Sequence, residues 1–194
     1  MFVVTTIAVV LFSIGNENPS PQILAGVLWI IVFFASMSGL SRTFVSEEER
    51  GTTLLLQLST KPGSVLFGKI FFNTLLLLGL NIFTVILYFL LIPEFKVQTY
   101  SIFFFTLFFG TISLSVSSTI LAGIVAKANT KGTLYPVLSF PVLLPLLITV
   151  IDATKLSVEG AMLNESFSNF QVLISYLIIT LIISSLLFES IWKD

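Results

Sequence analysis

The chain has 194 residues, of which 56% are hydrophobic and only 10% charged, with a net charge of −1. A soluble domain covers its surface with about 25% charged residues, so most of the exterior of this chain must face lipid. Cysteine and histidine are both absent, which excludes a disulfide framework and a thiolate metal site and removes the commonest general base, metal ligand and proximal haem ligand.

A helix needs about 20 apolar residues to cross about 30 Å of hydrocarbon. The first apolar stretch, Phe2 to Ile14, is short of that. It lacks the basic leader and small-residue cleavage site of a signal peptide and the polar face of an interfacial helix. It reads as most of a first span whose beginning lies outside this chain. Five further spans follow: Ile23 to Leu40, Val65 to Ile92, Tyr100 to Val125, Leu134 to Ile151 and Val172 to Phe188. Backbone groups in lipid must be satisfied within the segment, and the ten-residue alternation of a membrane barrel is missing. The expectation is an all-α integral membrane protein of six transmembrane helices, one domain over residues 1–194.

Orientation follows from the basic residues. With entry from the cytoplasm, Arg42, Arg50, Lys61, Lys69, Lys127, Lys131 and Lys193 fall on or near the cytoplasmic side, and Lys96 and Lys155 fall outside. Both termini are then cytoplasmic. The outer loops are Gly15 to Pro21, Pro93 to Gln98 and Asp152 to Asn169.

The most informative stretch is the cytoplasmic connection 41–63. Ser46 followed by Glu49 is a capping-box pattern, and Glu47, Glu48 and Glu49 suit the positive end of a helix. Leu54, Leu55 and Leu58 then recur at helical spacing, giving an apolar face for the membrane or a partner, and Pro62-Gly63 is expected to stop the helix before the next span. Connections commonly take about 4–6 residues. One this long, capped and amphipathic reads as a docking surface rather than a topology-fixing loop.

Inside the spans, Asn73 and Asn81 are eight residues apart, roughly on one helix face. Such groups serve interhelical hydrogen bonding or a water-filled path. The Tyr100 span carries small-residue stripes, Thr111/Ser115/Thr119/Gly123 and Ser118/Ala122/Ala126, together with Ser113 and Ser117. Stripes of this kind let helices approach closely. Pro136, Pro141 and Pro145 each remove a backbone donor from the next span, which predicts a broken or hinged segment of the kind transporters use.

Several of these residues form an ordered set. Gly26-Val-Leu-Trp29, Glu48-Glu49-Arg50-Gly51-Thr52, the leucine-rich run to Leu58-Ser59, Pro62, Gly68-Lys69, Gly110-Thr111 and the Pro136 to Pro145 run follow one another from about Ile7 to Ile183. In order and spacing the chain resembles the haem exporter protein B family, the membrane subunit of the ABC transporter used in cytochrome c maturation. Leu54 stands where that family usually has an acidic residue.

The resemblance implies a fold like an ABC type-2 exporter permease, in the bacterial inner membrane, with two permease halves around one pathway. It implies that Arg42, Phe44, Glu47, Glu48, Glu49, Arg50, Gly51, Thr52, Leu54, Leu55 and Leu58 form the coupling element on a separate ATP-binding subunit. ATP would be bound by that partner and haem would be cargo of the complex, handled with another membrane subunit and a haem chaperone. No cofactor or metal is expected on this chain, and no nucleic acid among its partners. Asn73, Asn81, Ser113, Ser117, Pro136, Pro141 and Pro145 are the packing or pathway candidates. Met37 and the tyrosines are poor haem ligands beside His or Cys, which favours a mechanical role.

Other functions compete. A type-2 ABC permease for a lipid or drug would have the same architecture. A membrane enzyme needs converging ionisable groups at membrane depth, and no Asp or Glu falls within the expected spans. A scaffold that never touches cargo is the third. No Walker-type loop occurs, which places ATP hydrolysis on another chain.

Overall fold

In the computed structural model, all residues are described except Asn16, Arg42, 45–48, 128–130 and Asp194. Seven helices make up the described architecture: α1 (Phe2–Ile14), α2 (Pro21–Leu40), α3 (Thr53–Ser59), α4 (Pro62–Leu91), α5 (Tyr100–Ala126), α6 (Lys131–Glu159) and α7 (Phe167–Lys193). Five of them, α2 and α4 to α7, are long and apolar enough to cross a membrane. At 1.5 Å per residue, the 13-residue α1 spans about 20 Å, short of the roughly 30 Å of hydrocarbon.

Local chemistry sets the starts of α2 and α4. Pro21 occupies the first turn of α2, where its missing N–H costs nothing, and Ser20 caps that turn by accepting from the Ile23 amide at 3.4 Å. Pro62 does the same for α4. This corrects the expected stop at Pro62-Gly63: α3 ends at Ser59, before the extended backbone of Thr60, and Pro62 begins the next helix. The expected capping box at Ser46, with Glu47 and Glu48, lies outside the described residues. The described helix α3 begins at Thr53, just after Gly51 at φ +68°, a conformation that ends a right-handed helix and that glycine adopts at little cost.

The expected outer loop from Asp152 is also shorter. Helix α6 continues to Glu159 and α7 begins at Phe167 rather than Val172. Beyond Ile151 the helix turns amphipathic, with a Lys155–Glu159 pair at 3.8 Å. Its last turn is closed from outside: the amides of Gln98 and Thr99 both donate to the Ser157 carbonyl at 3.0 Å, and the Thr99 hydroxyl donates to the Ala161 carbonyl at 3.0 Å. Carbonyls orphaned at a helix end need such partners. The three prolines do not break α6. It runs without interruption from Lys131 to Glu159, packed against α2, α5 and α7, and Pro136, Pro141 and Pro145 all lie on its exposed side.

Helix α5 is the centre of the bundle. In its most hydrophobic stretch 78% of residues are buried, against 11% in α7, and it packs on α2, α4, α6 and α7. Gly110 sets how closely it approaches α2 and α6. A Cβ there would lie 2.7 Å from the Trp29 ring and 2.9 Å from Val150, closer than carbon atoms pack. Trp29 is fixed in turn by its indole N–H, which donates to Thr154 of α6 at 2.8 Å. The Tyr88 hydroxyl ties α4 to α2 by donating to the Leu24 carbonyl at 2.9 Å. Gly110→Val is therefore expected to destabilise the bundle by about 1–3 kcal/mol, the usual range for overpacking, read as a lower midpoint of SDS-induced unfolding in mixed micelles.

Candidate functional site

Chain direction brings the C-termini of α2, α5 and α7 and the N-termini of α4 and α6 to the same end of the bundle as α3. There Thr43 and Phe44, between α2 and α3, are held by polar and aromatic contacts. Phe44 is 5% exposed; its ring lies 5.4 Å from that of Phe188, which stacks on Trp192 at 5.2 Å. Gly123 of α5 lies against this cluster; a Cβ there would be in ordinary van der Waals contact with the Phe44 and Phe188 rings, at 3.6–3.7 Å. The Lys69 ammonium sits 5.3 Å from the centroid of Phe44 and donates to the Thr43 carbonyl at 3.0 Å.

Helix α3 is tied inward by Gln57, whose amide donates to the Trp192 carbonyl at 2.7 Å, and by partly buried Leu56, which packs against the core. Of the leucines expected to form an apolar face for the membrane or a partner, Leu55 is 70% exposed and Leu58 90%. They share the outer surface with exposed Glu49, Arg50, Gly51 and Thr52. Of the other sequence-derived coupling residues, Arg42, Glu47 and Glu48 lie outside the described residues, as does the side chain of Leu54. Under α3, a cleft of about 310 Å³ runs between Leu56, Thr60, Ser64 and Lys69. A second, of about 360 Å³, separates Pro62 and Leu66 from Ser185 and Glu189.

The polar groups inside the spans form a ladder between α4 and α5. The Asn81 amide donates to Thr111 at 2.6 Å, the Thr74 hydroxyl to Ser115 at 2.9 Å and the Asn73 amide to Thr119 at 2.8 Å. The Thr111/Ser115/Thr119 stripe is thus the α5 side of this seam. Ser117 faces α7, 3.1 Å from the Tyr176 hydroxyl, which donates onward to the Val142 carbonyl of α6 at 3.0 Å. Ser113 is buried, and its hydroxyl has no partner among the described residues. The prolines, on the exposed side of α6, share no face with these groups. Thr43, Gln57, Thr119 and Trp192 are not singled out by sequence reasoning as contacts, because each depends on a partner more than 25 residues away; only the small-residue stripe signals Thr119.

Five long apolar helices around a buried polar seam define the class: a polytopic all-helical membrane protein. The sequence profile of the CcmB protein family matches residues 1–190, and the chain belongs to that family. It is the permease component of the ABC haem exporter in cytochrome c maturation; ATP hydrolysis lies in a partner subunit, which membership in the family implies. No curated protein sequence matches the chain.

The seam makes a stability prediction. The Asn81 carbonyl oxygen is buried without a partner among the described residues, so Asn81→Leu loses one hydrogen bond and also removes one orphaned acceptor. Its cost is expected to stay within about 1 kcal/mol. Thr111→Val leaves the whole Asn81 amide unpaired and costs about 1–3 kcal/mol. Unfolding titrations in mixed micelles should therefore rank Thr111→Val as the more damaging of the two.

Proposed function

We propose that the surface made by Glu49, Arg50, Gly51, Thr52, Leu55 and Leu58 is the docking site for the ATP-binding subunit, and that the chain acts mechanically. What carries this reading is the arrangement of α3. Gln57 and Leu56 anchor the helix to the bundle, while two leucines and two charged residues are left facing outward. A solvated loop gains nothing from presenting Leu58 at 90% exposure, whereas an interface core of aliphatic side chains with a charged rim fits the usual composition of a protein contact.

Of the eight described basic residues, six lie at the α3 end of the helices and two, Lys96 and Lys155, at the other, which supports a cytoplasmic α3 end in a bacterial inner membrane. Both termini are cytoplasmic on this reading, which requires the short α1 to cross as a sixth element with local thinning of the bilayer, and the subunit takes a type-2 exporter-like arrangement as one of two permease copies. The remaining partners are a haem-handling membrane subunit and a haem chaperone. Haem is cargo of the assembly. With neither His nor Cys on the chain, its direct ligation falls to those partners.

Two measurements test this. The chain contains no cysteine, so single cysteines report topology without background. A Thr60→Cys variant should react with an impermeant thiol reagent only in opened cells, and Met162→Cys should react in intact ones; the reverse pattern would overturn the orientation. Co-purification with the ATP-binding subunit should fall at least tenfold when Glu49, Arg50, Leu55 and Leu58 are all alanine. Unchanged retention would remove the docking assignment.

A further inference from the structure

We infer that the Asn73 side chain, together with Thr43 and Thr119, is the link that carries displacement of the cytoplasmic connection into α5. This rests on the docking surface proposed above. The geometry is specific. The Asn73 amide nitrogen has two protons and two acceptors: Thr119 Oγ1 of α5 at 2.8 Å and Thr43 Oγ1 of the connection at 3.4 Å. Asn73 is 2% exposed, so water offers no substitute partner.

Neither hydroxyl is free to turn away. Thr119 gives its proton to the Ser115 carbonyl at 2.6 Å, and Thr43 gives its proton to the Leu40 carbonyl at 2.7 Å. A hydroxyl has one proton to donate, so towards Asn73 each is an acceptor only. The three residues therefore form a closed set in which a single amide bridges the connection to the central helix. Lys69, one turn below Asn73 on α4, holds the Thr43 carbonyl. The Phe44 ring against Gly123 supplies the apolar half of the same contact.

The consequence is mechanical. Pressure on α3 reaches α4 through the chain itself, because Lys61 leads directly into Pro62. It reaches α7 through Gln57 and Trp192. Helix α5 is not adjacent to the connection in sequence; the Asn73 bridge and the Phe44 contact join the two directly, beside the Thr74–Ser115 and Asn81–Thr111 rungs that couple α5 to α4. Since α5 packs on four other long helices, shifting it shifts the bundle. Asn73 and Thr119 are thus positioning residues, acting through α5 rather than on cargo.

The test uses the complete complex with its ATP-binding subunit, and cells for cytochrome c yield. The variants are Asn73→Leu, Thr119→Val and the conservative Thr119→Ser, with Thr154→Val as control because it removes another buried interhelical hydrogen bond, from Trp29. The expected result is that Asn73→Leu and Thr119→Val retain the ATP-binding subunit and hydrolyse ATP within about twofold of native, while cytochrome c yield falls at least tenfold. Thr119→Ser and Thr154→Val should keep yield within about twofold. Should Asn73→Leu fail to reach the membrane, Thr119→Val carries the same test at nearly constant volume. An equal fall in the Thr154→Val control would reduce the bridge to ordinary packing, and an undiminished yield in Thr119→Val would overturn the inference. Failure of the native chain to retain the ATP-binding subunit is a separate result, and would overturn the docking assignment on which the link depends.

Discussion

The constraint on which this structure depends is that polar groups buried in a lipid-embedded bundle must find partners within the protein. Helix α5 carries seven buried serines and threonines, an expensive composition for the most enclosed helix of a membrane bundle. Most of these groups are met by neighbours: α4 supplies Asn73, Thr74 and Asn81, and α7 supplies Tyr176, while the Ser113 and Ser118 hydroxyls have no partner among the described residues. Several of the hydroxyls also return their proton to their own helix, as Thr106, Thr111 and Thr119 do. The small size of these residues lets the helices approach, and their polarity fixes which helix approaches where. Each contact is worth only about 0.6–2 kcal/mol, so register rather than bulk stability is the main product.

That seam has an end, and the proposed coupling lies there. At the Asn73 rung the ladder leaves the pair α4 and α5 and takes in Thr43 of the α2–α3 connection. The aromatic cluster of Phe44, Phe188 and Trp192 closes around the same point. The connection that carries the exposed helix α3 is thereby joined to the buried core of the bundle by hydrogen bonds and ring contacts. In a permease whose energy is supplied by a separate ATPase, such a joint is what a displacement at the surface requires to reach the interior.

Much of the fold was legible in the sequence, for a simple reason. Hydropathy locates membrane helices because length and apolarity are imposed by the bilayer, and α2, α4 and α5 each begin and end within about three residues of expectation. The overrun of α6 to Glu159 was not legible, since its last turn is closed by the amides of Gln98 and Thr99, more than fifty residues away in the chain. The continuity of α6 through three prolines was hidden for a related reason: packing against three neighbours, a tertiary fact, outweighs the local defect. On α3, spacing alone could not decide which leucines face inward, and the structure turns Leu56 in and Leu55 and Leu58 out. The class was readable from the ordered motifs that run from Gly26 to Pro145. The partners of Asn73 were not, because hydrogen bonds across 30 and 46 residues leave no trace in a local pattern.

The central claim is that the connection and α5 move as one body. Thr43 and Thr119 both lie within hydrogen-bonding reach of one amide nitrogen, and the chain has no native cysteine, so a Thr43→Cys, Thr119→Cys variant can be bridged by a short bifunctional thiol reagent. The measurement is the ATP hydrolysis rate of the reconstituted complex, bridged, against the same variant capped by a monofunctional reagent. If the two sites travel together, bridging leaves the rate within about twofold. If bridging arrests hydrolysis while capping does not, the connection slides against α5 in every cycle, and a rigid link between them is contradicted.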